Sequence, residues 1–151
     1  GIIPGRAKTL PMAMGDYLEP FIVQHYILEN PTRGAEMAAG KIVYVHHSGL
    51  ISATVDAWTW DLERPEIRWP LQLKYKGYPI KDVPPYIEIQ CRGEALCADT
   101  DRCSTAILCA RAETLICADF PAWTEEEAAG YLLDAEEFAA EVEAARATGG
   151  V

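Results

Sequence analysis

The feature that most constrains the fold is the run RWPLQLKYK, residues 68–76, because it carries polar side chains within a sequence typical of a buried strand. Leu71 and Leu73 point to one face of such a strand. Gln72 and Lys74 point to the other face, since alternate residues of a strand share a side. An amide and an ammonium group side by side, on a strand whose opposite face is buried, indicate a site for chemistry.

The length of 151 residues, half of them apolar, predicts one globular domain over residues 1–151. No apolar run reaches the roughly 18–20 residues of a membrane span, and the start GIIPGRAKTL has no signal-peptide core, so we expect a cytoplasmic protein without membrane contact. The first residue is not methionine, so we expect that residues upstream have been removed. Five cysteines without a CxxC pair predict reduced, mostly buried thiols.

The net charge of −10 is unevenly distributed along the chain. From Glu113 onward there are ten acids and one base, whereas residues 1–112 contain thirteen acids and twelve bases. The acidity therefore belongs to a C-terminal helical segment and does not exclude DNA binding by the rest. A solvated helix face is the ordinary interpretation of that segment, and a DNA mimic or a partner-docking surface is the alternative.

The apolar patterns and turn signals predict, in chain order, helix 12–30, β-like runs 35–39, 41–47 and 50–60, strand 68–76, helix 84–99, strands 103–111 and 114–122, and helix 124–150. Short connections between the early runs favour an antiparallel meander. Strand 103–111 is strongly apolar, so we expect it inside the sheet. Thr124 and Glu127 predict a capping box. The predicted fold class is α/β, a mixed β-sheet with an antiparallel meander flanked by helices.

Three further polar residues fit beside Gln72 and Lys74. Asp56 lies in the run before the central strand, so a hairpin between the two makes Asp56 and Gln72 neighbours. Glu19 lies on the first helix and Gln90 on the second. Acids and a lysine around one strand outline a divalent-metal phosphodiesterase centre, in which carboxylate oxygens suit Mg²⁺ and the ammonium group offsets developing charge. The alternative is a polar cluster on a solvent-facing strand.

Five motifs, in order, resemble a known family: MAMGDYLEP, SATVDAW, LQLKY, the PPYIEIQ helix and the EFAAEV helix. They are similar to those of the YqaJ and lambda-type recombination exonucleases, RecB-like members of the PD-(D/E)XK nuclease superfamily. The resemblance runs from Met12 to Gly149 and implies a restriction-endonuclease-like core. It also implies a bacterial host cell.

The resemblance assigns two overlapping sets of residues. The metal ligands it implies, for Mg²⁺ or Mn²⁺, are Asp56, Gln72, the backbone carbonyl of Leu73 and Glu19. The catalytic residues it implies are Lys74, Gln72, Asp56, Gln90 and Tyr86.

The sequence departs from the family at two points. Gln72 stands where the family usually has glutamate, and an amide oxygen brings no charge to a metal. Glu88, on the helix of Gln90, is a candidate for a carboxylate that has moved to the helix. The second departure is the family's opening helix with its Ser-Asp phosphate-binding motif, which GIIPGRAKTL does not supply.

The function implied is a metal-dependent exonuclease that hydrolyses phosphodiester bonds in double-stranded DNA for phage-type recombination. The implied partners are double-stranded DNA and a single-strand annealing protein, and a homo-oligomeric ring is the implied assembly. A catalytically weak or inactive DNA-binding module with a nuclease fold is an alternative. An endonuclease subunit with the same core is another.

Overall fold

A computed structural model describes residues 9–40 and 42–149 of the chain. In chain order, the helices and strands over these residues are α1 (Leu10–Glu29), β1 (Arg33–Met37), β2 (Val43–Val45), β3 (Ser52–Thr54), β4 (Ala57–Asp61), β5 (Arg68–Lys76), α2 (Pro85–Ala98), β6 (Arg102–Cys109), β7 (Ile116–Pro121) and α3 (Glu125–Ala147). Most of GIIPGRAKTL lies outside the described residues, and with it the prediction about the family's opening helix.

Five strands form one sheet in the order β1-β4-β5-β6-β7. Strands β5 and β6 are parallel, and the other neighbours are antiparallel. Helix α2 is the crossover that connects the parallel pair, which a tight turn cannot do. The predicted α/β fold, with a mixed and largely antiparallel sheet flanked by helices, is confirmed.

The early strands differ from the sequence prediction in one detail. The run at residues 50–60, expected as one strand, divides at Asp56 into β3 and β4. Strand β3 pairs with β2 in a separate two-stranded sheet, whereas β4 pairs with β1 and β5. The break falls at Val55 and Asp56, and the amide of Ala38 donates to the carbonyl of Asp56 at 3.0 Å, which continues the pairing of β1 with β4 as far as this point. In the sequence, Asp56 continues the alternation of polar and apolar residues, so the break could not be distinguished from a solvent-facing position within one strand.

The two faces of β5 are covered by different helices. On one face, Ile22 and Tyr26 of α1 pack in a core cluster with Leu71 and Leu73. On the other face, Gln72 contacts α2 through a side-chain hydrogen bond. The predicted separation of the two leucines from the polar residues of the strand is therefore confirmed.

Helix α2 presents an apolar stripe to β6. Ile87, Cys91 and Ala95, spaced four residues apart, are fully buried. Ile87 packs with Ile107, and Cys91 and Ala95 pack with Cys103. The helix begins at the prolines predicted to open it. Strand β6 lies between β5 and β7, so its predicted internal position is confirmed.

A polar chain, which we call the closed network, ties four strands together through Arg33, Trp69, Ser104 and Asp119. The indole N–H of Trp69 donates to Ser104 Oγ at 2.8 Å, and that hydroxyl donates to Asp119 Oδ1 at 2.6 Å. Arg33 donates to both oxygens of Asp119 at 2.8 Å. Burial acts to raise the pKa of Asp119, but the hydrogen bonds from Arg33 and Ser104 outweigh it and hold the pKa below its ordinary value.

Helix α3 begins with the predicted capping box and lies mostly in solvent. Thr124 Oγ1 accepts from the Glu127 amide at 3.2 Å, and the Glu127 carboxylate accepts from the Thr124 amide at 2.9 Å. Within the helix, Ala128 is buried, whereas Leu133 and Phe138 are 56% and 67% exposed. No helix among the described residues is long and apolar enough to cross a membrane.

The five cysteines are free thiols. Cys91, Cys103 and Cys109 are buried and Cys97 is half-buried, as the sequence predicted for most of them. Cys117 is exposed.

Candidate active site

The site begins where the ladder between β4 and β5 ends. The last pair of that ladder is Ala57 with Leu71, so the next amide of β5 on this edge, that of Leu73, has no strand partner in β4. Asp56 Oδ2 accepts from it at 3.0 Å. The amide and carbonyl of one strand residue project to the same edge, so the Leu73 carbonyl also points toward this opening. The structure thus brings Asp56 and the backbone of Leu73 together, as predicted.

Gln72 is fully buried on the opposite face of the strand from its leucine neighbours. Its Nε2 donates to Glu94 Oε1 at 3.0 Å, and the thiol of Cys91 lies 3.7 Å from its Oε1. Both polar ends of the amide therefore have partners on α2. This arrangement holds the Glu94 carboxylate in a fixed orientation, and a direct bond from Gln72 to a metal stays a prediction.

Glu94 is a site residue that the sequence interpretation missed. It is 3% exposed, and its Oε1 accepts from Gln72 and also from Gln90 at 3.5 Å. Its Oε2 is buried without a hydrogen-bond partner. A signal was present in the sequence, because Glu94 shares the inner face of α2 with Ile87 and Cys91 at helical spacing. An acid at an apolar position of a helix indicates a buried and functional group.

Glu88, the candidate for a carboxylate on the helix, lies elsewhere. Its Oε1 accepts from Arg92 Nε at 3.0 Å and from Arg92 Nη2 at 2.8 Å. The Glu88 side chain is 40% exposed. Its partner is a cation one helical turn away, so Glu94 and not Glu88 is the acid of α2 that faces β5.

Lys74 lies half-buried, two residues after Gln72 on the same side of the strand. Its positive charge lowers the pKa of both Asp56 and Glu94, which places it near both carboxylates. Asp56 therefore lies against the segment of β5 that carries Gln72 and Lys74, with Gln90 at the margin, and their grouping as one catalytic site stays a prediction.

The charge of Asp56 disfavours the ionisation of Glu94. Burial raises the pKa of Asp56, the Leu73 amide and Lys74 oppose that shift, and the charge of Asp16 on α1 adds to it. Burial raises the pKa of Glu94 to about 8, and the charge of Asp56 contributes to that increase. Two buried acids that repel each other are stabilised by a cation placed between them.

Two predicted residues lie on the helices around this cluster. Glu19 is half-buried on α1, one turn after Asp16, whose charge reaches Asp56. Tyr86, at the start of α2, is 53% exposed, and its hydroxyl contacts the ammonium group of Lys76. Tyr86 thus lies at the rim, beside Lys76 rather than Lys74.

The donor set fits a hard divalent cation. In the described part of the chain, no three histidine, cysteine, aspartate or glutamate side chains come together as a ligand group. Mg²⁺ is commonly held by one or two carboxylates, with water and substrate phosphate completing its six ligands. Asp56, the unpartnered oxygen of Glu94 and the Leu73 carbonyl are oxygen donors of this kind.

Comparison with known proteins relates this fold to a nuclease. No protein-family model and no curated protein matches the sequence. The structure is similar to the crystal structure of an alkaline exonuclease, LHK-Exo, from Laribacter hongkongensis, with a TM-score of 0.66 and 17% identity over 92% of this chain and 72% of that chain. It is also similar to LHK-Exo in complex with dAMP, with a TM-score of 0.61 and 16% identity over 96% of this chain and 77% of that one. The chain therefore shares the fold of an alkaline exonuclease.

Proposed function

We propose that this protein is a metal-dependent DNA exonuclease that hydrolyses phosphodiester bonds in double-stranded DNA, in the cytoplasm of a bacterial host and for phage-type recombination. One observation carries the proposal: at the open end of the β4–β5 ladder Asp56 accepts from the amide of Leu73, the residue before Lys74, in a fold shared with an alkaline exonuclease. The family resemblance of the sequence supports the same conclusion.

Each residue has a role that follows from its position. Asp56, the Leu73 carbonyl and the acid of α2 would hold Mg²⁺ or Mn²⁺, which when bound supplies a polarised phosphate and an acidified water. Lys74 orients the attacking water and stabilises the charge that develops on the phosphate oxygens, because a compact ammonium group acts as a point charge. Gln72 and Gln90 orient the Glu94 carboxylate. Glu19 supports the cluster from α1.

The rim beside the cluster is suited to the DNA backbone. The exposed Tyr86 and the ammonium group of Lys76 lie at the start of α2, and Arg92 lies two turns further along the helix. Because phosphate contacts release counterions, we expect the affinity for duplex DNA to fall steeply with salt. The acidic segment does not oppose this, since its charge lies mostly on the exposed α3.

A second candidate function is a DNA-binding module with little or no catalysis. The observation that favours it is Gln72, which is buried and neutral at the strand position where the family has a carboxylate. An endonuclease subunit would use the same cluster and differ only in substrate access.

Digestion of linear and covalently closed duplex DNA with Mg²⁺ or Mn²⁺ separates these functions. We expect wild type to degrade the linear substrate and leave circles intact, and Lys74→Ala to degrade neither. Lys76→Ala is the matched control, since this second lysine of the strand is expected to affect DNA affinity more than the chemical step. Cutting of circles would favour the endonuclease, and binding without cleavage would favour the module.

An annealing protein as partner and a ring-shaped homo-oligomer also belong to this proposal. They rest on the resemblance, and the exposed Leu133 and Phe138 of α3 offer apolar surface for such contacts. Light scattering on the purified protein is expected to give a mass above that of one chain. A monomer at micromolar concentration would contradict the ring.

A further inference from the structure

Glu94 of α2 bears on the proposed function, because β5 lacks the carboxylate that metal-dependent hydrolysis of DNA would require. Gln72 occupies that strand position, and an amide supplies no charge. The Glu94 carboxylate lies beside this amide, and its Oε1 accepts from Gln72 Nε2 at 3.0 Å. The neutral amide of Gln72 is therefore on the strand, and the carboxylate expected there is on α2, as Glu94.

The hydrogen bonds around Glu94 leave one oxygen available. Gln72 and Gln90 both donate to Oε1, whereas Oε2 is buried without a partner. Buried polar atoms in folded proteins are nearly always satisfied, so an orphaned carboxylate oxygen requires an explanation. The thiol of Cys91 lies 3.7 Å from Gln72 Oε1 and 3.5 Å from the Ser104 carbonyl, so the orientation of the amide, with its nitrogen toward Glu94, is defined mainly by the hydrogen bond to Glu94 Oε1.

The charges around Glu94 favour a cation. Asp56 accepts from the amide of Leu73 at 3.0 Å, and Glu94 accepts from the side chain of the preceding residue, Gln72, at 3.0 Å, so two acids contact one segment of β5, and Lys74 follows directly on that segment. The Glu94 side of the cluster also borders a cavity of about 250 Å³, which is lined in part by Thr54 of β3 and Gln90. That cavity gives the carboxylate a route to solvent despite its burial.

We infer that Glu94 is the second carboxylate of the metal site, acting with Asp56, and that Gln72 is the positioning residue that orients it. The inference rests on the proposed function, since the cation is the one that the nuclease uses. It also predicts that the acid and the amide can be exchanged between strand and helix without loss of the site.

Isothermal titration of Mn²⁺ into the full chain without DNA tests this directly. We expect Glu94→Gln to weaken binding by at least about tenfold, since even the loss of a residue that only orients a ligand weakens metal binding about 10- to 100-fold. The double variant Gln72→Glu with Glu94→Gln carries the same groups exchanged, and we expect its affinity to return to within about tenfold of wild type. Glu88→Gln is the matched control on the same helix, and we expect wild-type affinity.

The outcomes separate the two proposals. If wild type binds Mn²⁺ and a folded Glu94→Gln variant binds it equally well, Glu94 is a hydrogen-bonded core acid and the inference is overturned while the nuclease remains. A folded double variant that binds as weakly as the single one would overturn the exchange. If wild type neither binds Mn²⁺ nor cleaves DNA, the proposed function itself fails. Circular dichroism of each variant establishes folding.

Discussion

Two clusters of polar side chains lie along β5, and they differ in how completely their members are paired. The closed network around Trp69, at the start of the strand, pairs an arginine with an aspartate and gives the indole and hydroxyl groups partners. The cluster around Gln72 and Glu94, further along, sets two acids against one lysine and leaves a carboxylate oxygen without a partner. One gives its buried polar atoms partners and the other does not.

This difference indicates that the closed network has a structural role and that the Glu94 cluster has a functional one. A satisfied buried network stabilises a fold and orders its strands, whereas a partly satisfied one lowers stability until a ligand completes it. We therefore expect changes in the closed network to reduce the free energy of unfolding and spare chemistry. Changes in the Glu94 cluster should impair cleavage or metal binding without such a loss of the free energy of unfolding.

The largest expected effect is on catalysis in the Glu94 cluster. Lys74→Ala should reduce the rate of cleavage of linear duplex DNA by at least about 100-fold, the loss typical when one charge-stabilising group is removed from a transition state. Its melting temperature should stay near that of wild type, because Lys74 is only half-buried. Single-turnover digestion with saturating enzyme measures the chemical step. A variant that cleaves within about threefold of wild type would show that Lys74 is not in the reacting centre.

The next effect is on the pH dependence of the free energy of unfolding, which has opposite signs in the two regions. The pKa of Glu94 is raised from 4.5 to about 8 in the folded protein, so the folded state holds this proton more tightly than the unfolded state does. Its stabilising contribution is complete below pH 4.5 and is lost as the pH rises toward 8 and above. In EDTA, wild type should lose on the order of a few kcal/mol across this window relative to Glu94→Gln. Urea unfolding at a series of pH values measures it, and parallel curves for the two proteins would contradict the prediction.

A smaller effect is expected in the closed network. Ser104→Ala leaves the buried indole N–H of Trp69 without an acceptor, so the free energy of unfolding should fall by about 1–3 kcal/mol. Mn²⁺ affinity should be unchanged. The exposed Ser52 of β3 provides the control, because its replacement by alanine should cost under about 0.5 kcal/mol. Equal stability of the two serine variants would show that the network does not hold the sheet.

The smallest effect concerns the acid side of the same network. Because the pKa of Asp119 is lowered in the folded state, its contribution is present above the unfolded pKa and is lost as the pH falls through the folded value. Asp119 is about half exposed, so the loss should stay under about 1 kcal/mol. Asp119→Asn should remove this acid sensitivity, whereas Asp134→Asn on the exposed α3 should keep it. Urea unfolding at a series of acidic pH values measures this loss. If the free energy of unfolding falls equally with decreasing pH for Asp119→Asn and wild type, the prediction is contradicted.

Much of the fold was predictable because local patterns determine it. Strict alternation placed Leu71 and Leu73 opposite Gln72, two prolines marked the start of α2, and the Thr124–Glu127 capping box marked the start of α3. The division between β3 and β4 was not predictable, since it depends on the two halves of the run finding different partner strands, β2 for β3 and β1 with β5 for β4.

The site was predictable only in part, for a related reason. Asp56, Lys74 and the Leu73 backbone follow from strand position, which sequence spacing reports. Glu94 and Glu88 lie on one helix six residues apart, and a glutamate is by default exposed. Helical spacing with Ile87 and Cys91 indicates that Glu94 is buried, but only tertiary packing shows that it faces Gln72 of β5. The burial of Glu94 depends on a strand that is more than twenty residues earlier in the chain.

A crystal soaked in Mn²⁺, with anomalous difference density, tests the central claim most directly. We expect a peak between the carboxylates of Asp56 and Glu94, within bonding distance of the Leu73 carbonyl. Absence of that peak at millimolar Mn²⁺, or a peak on Glu88 instead, would contradict it.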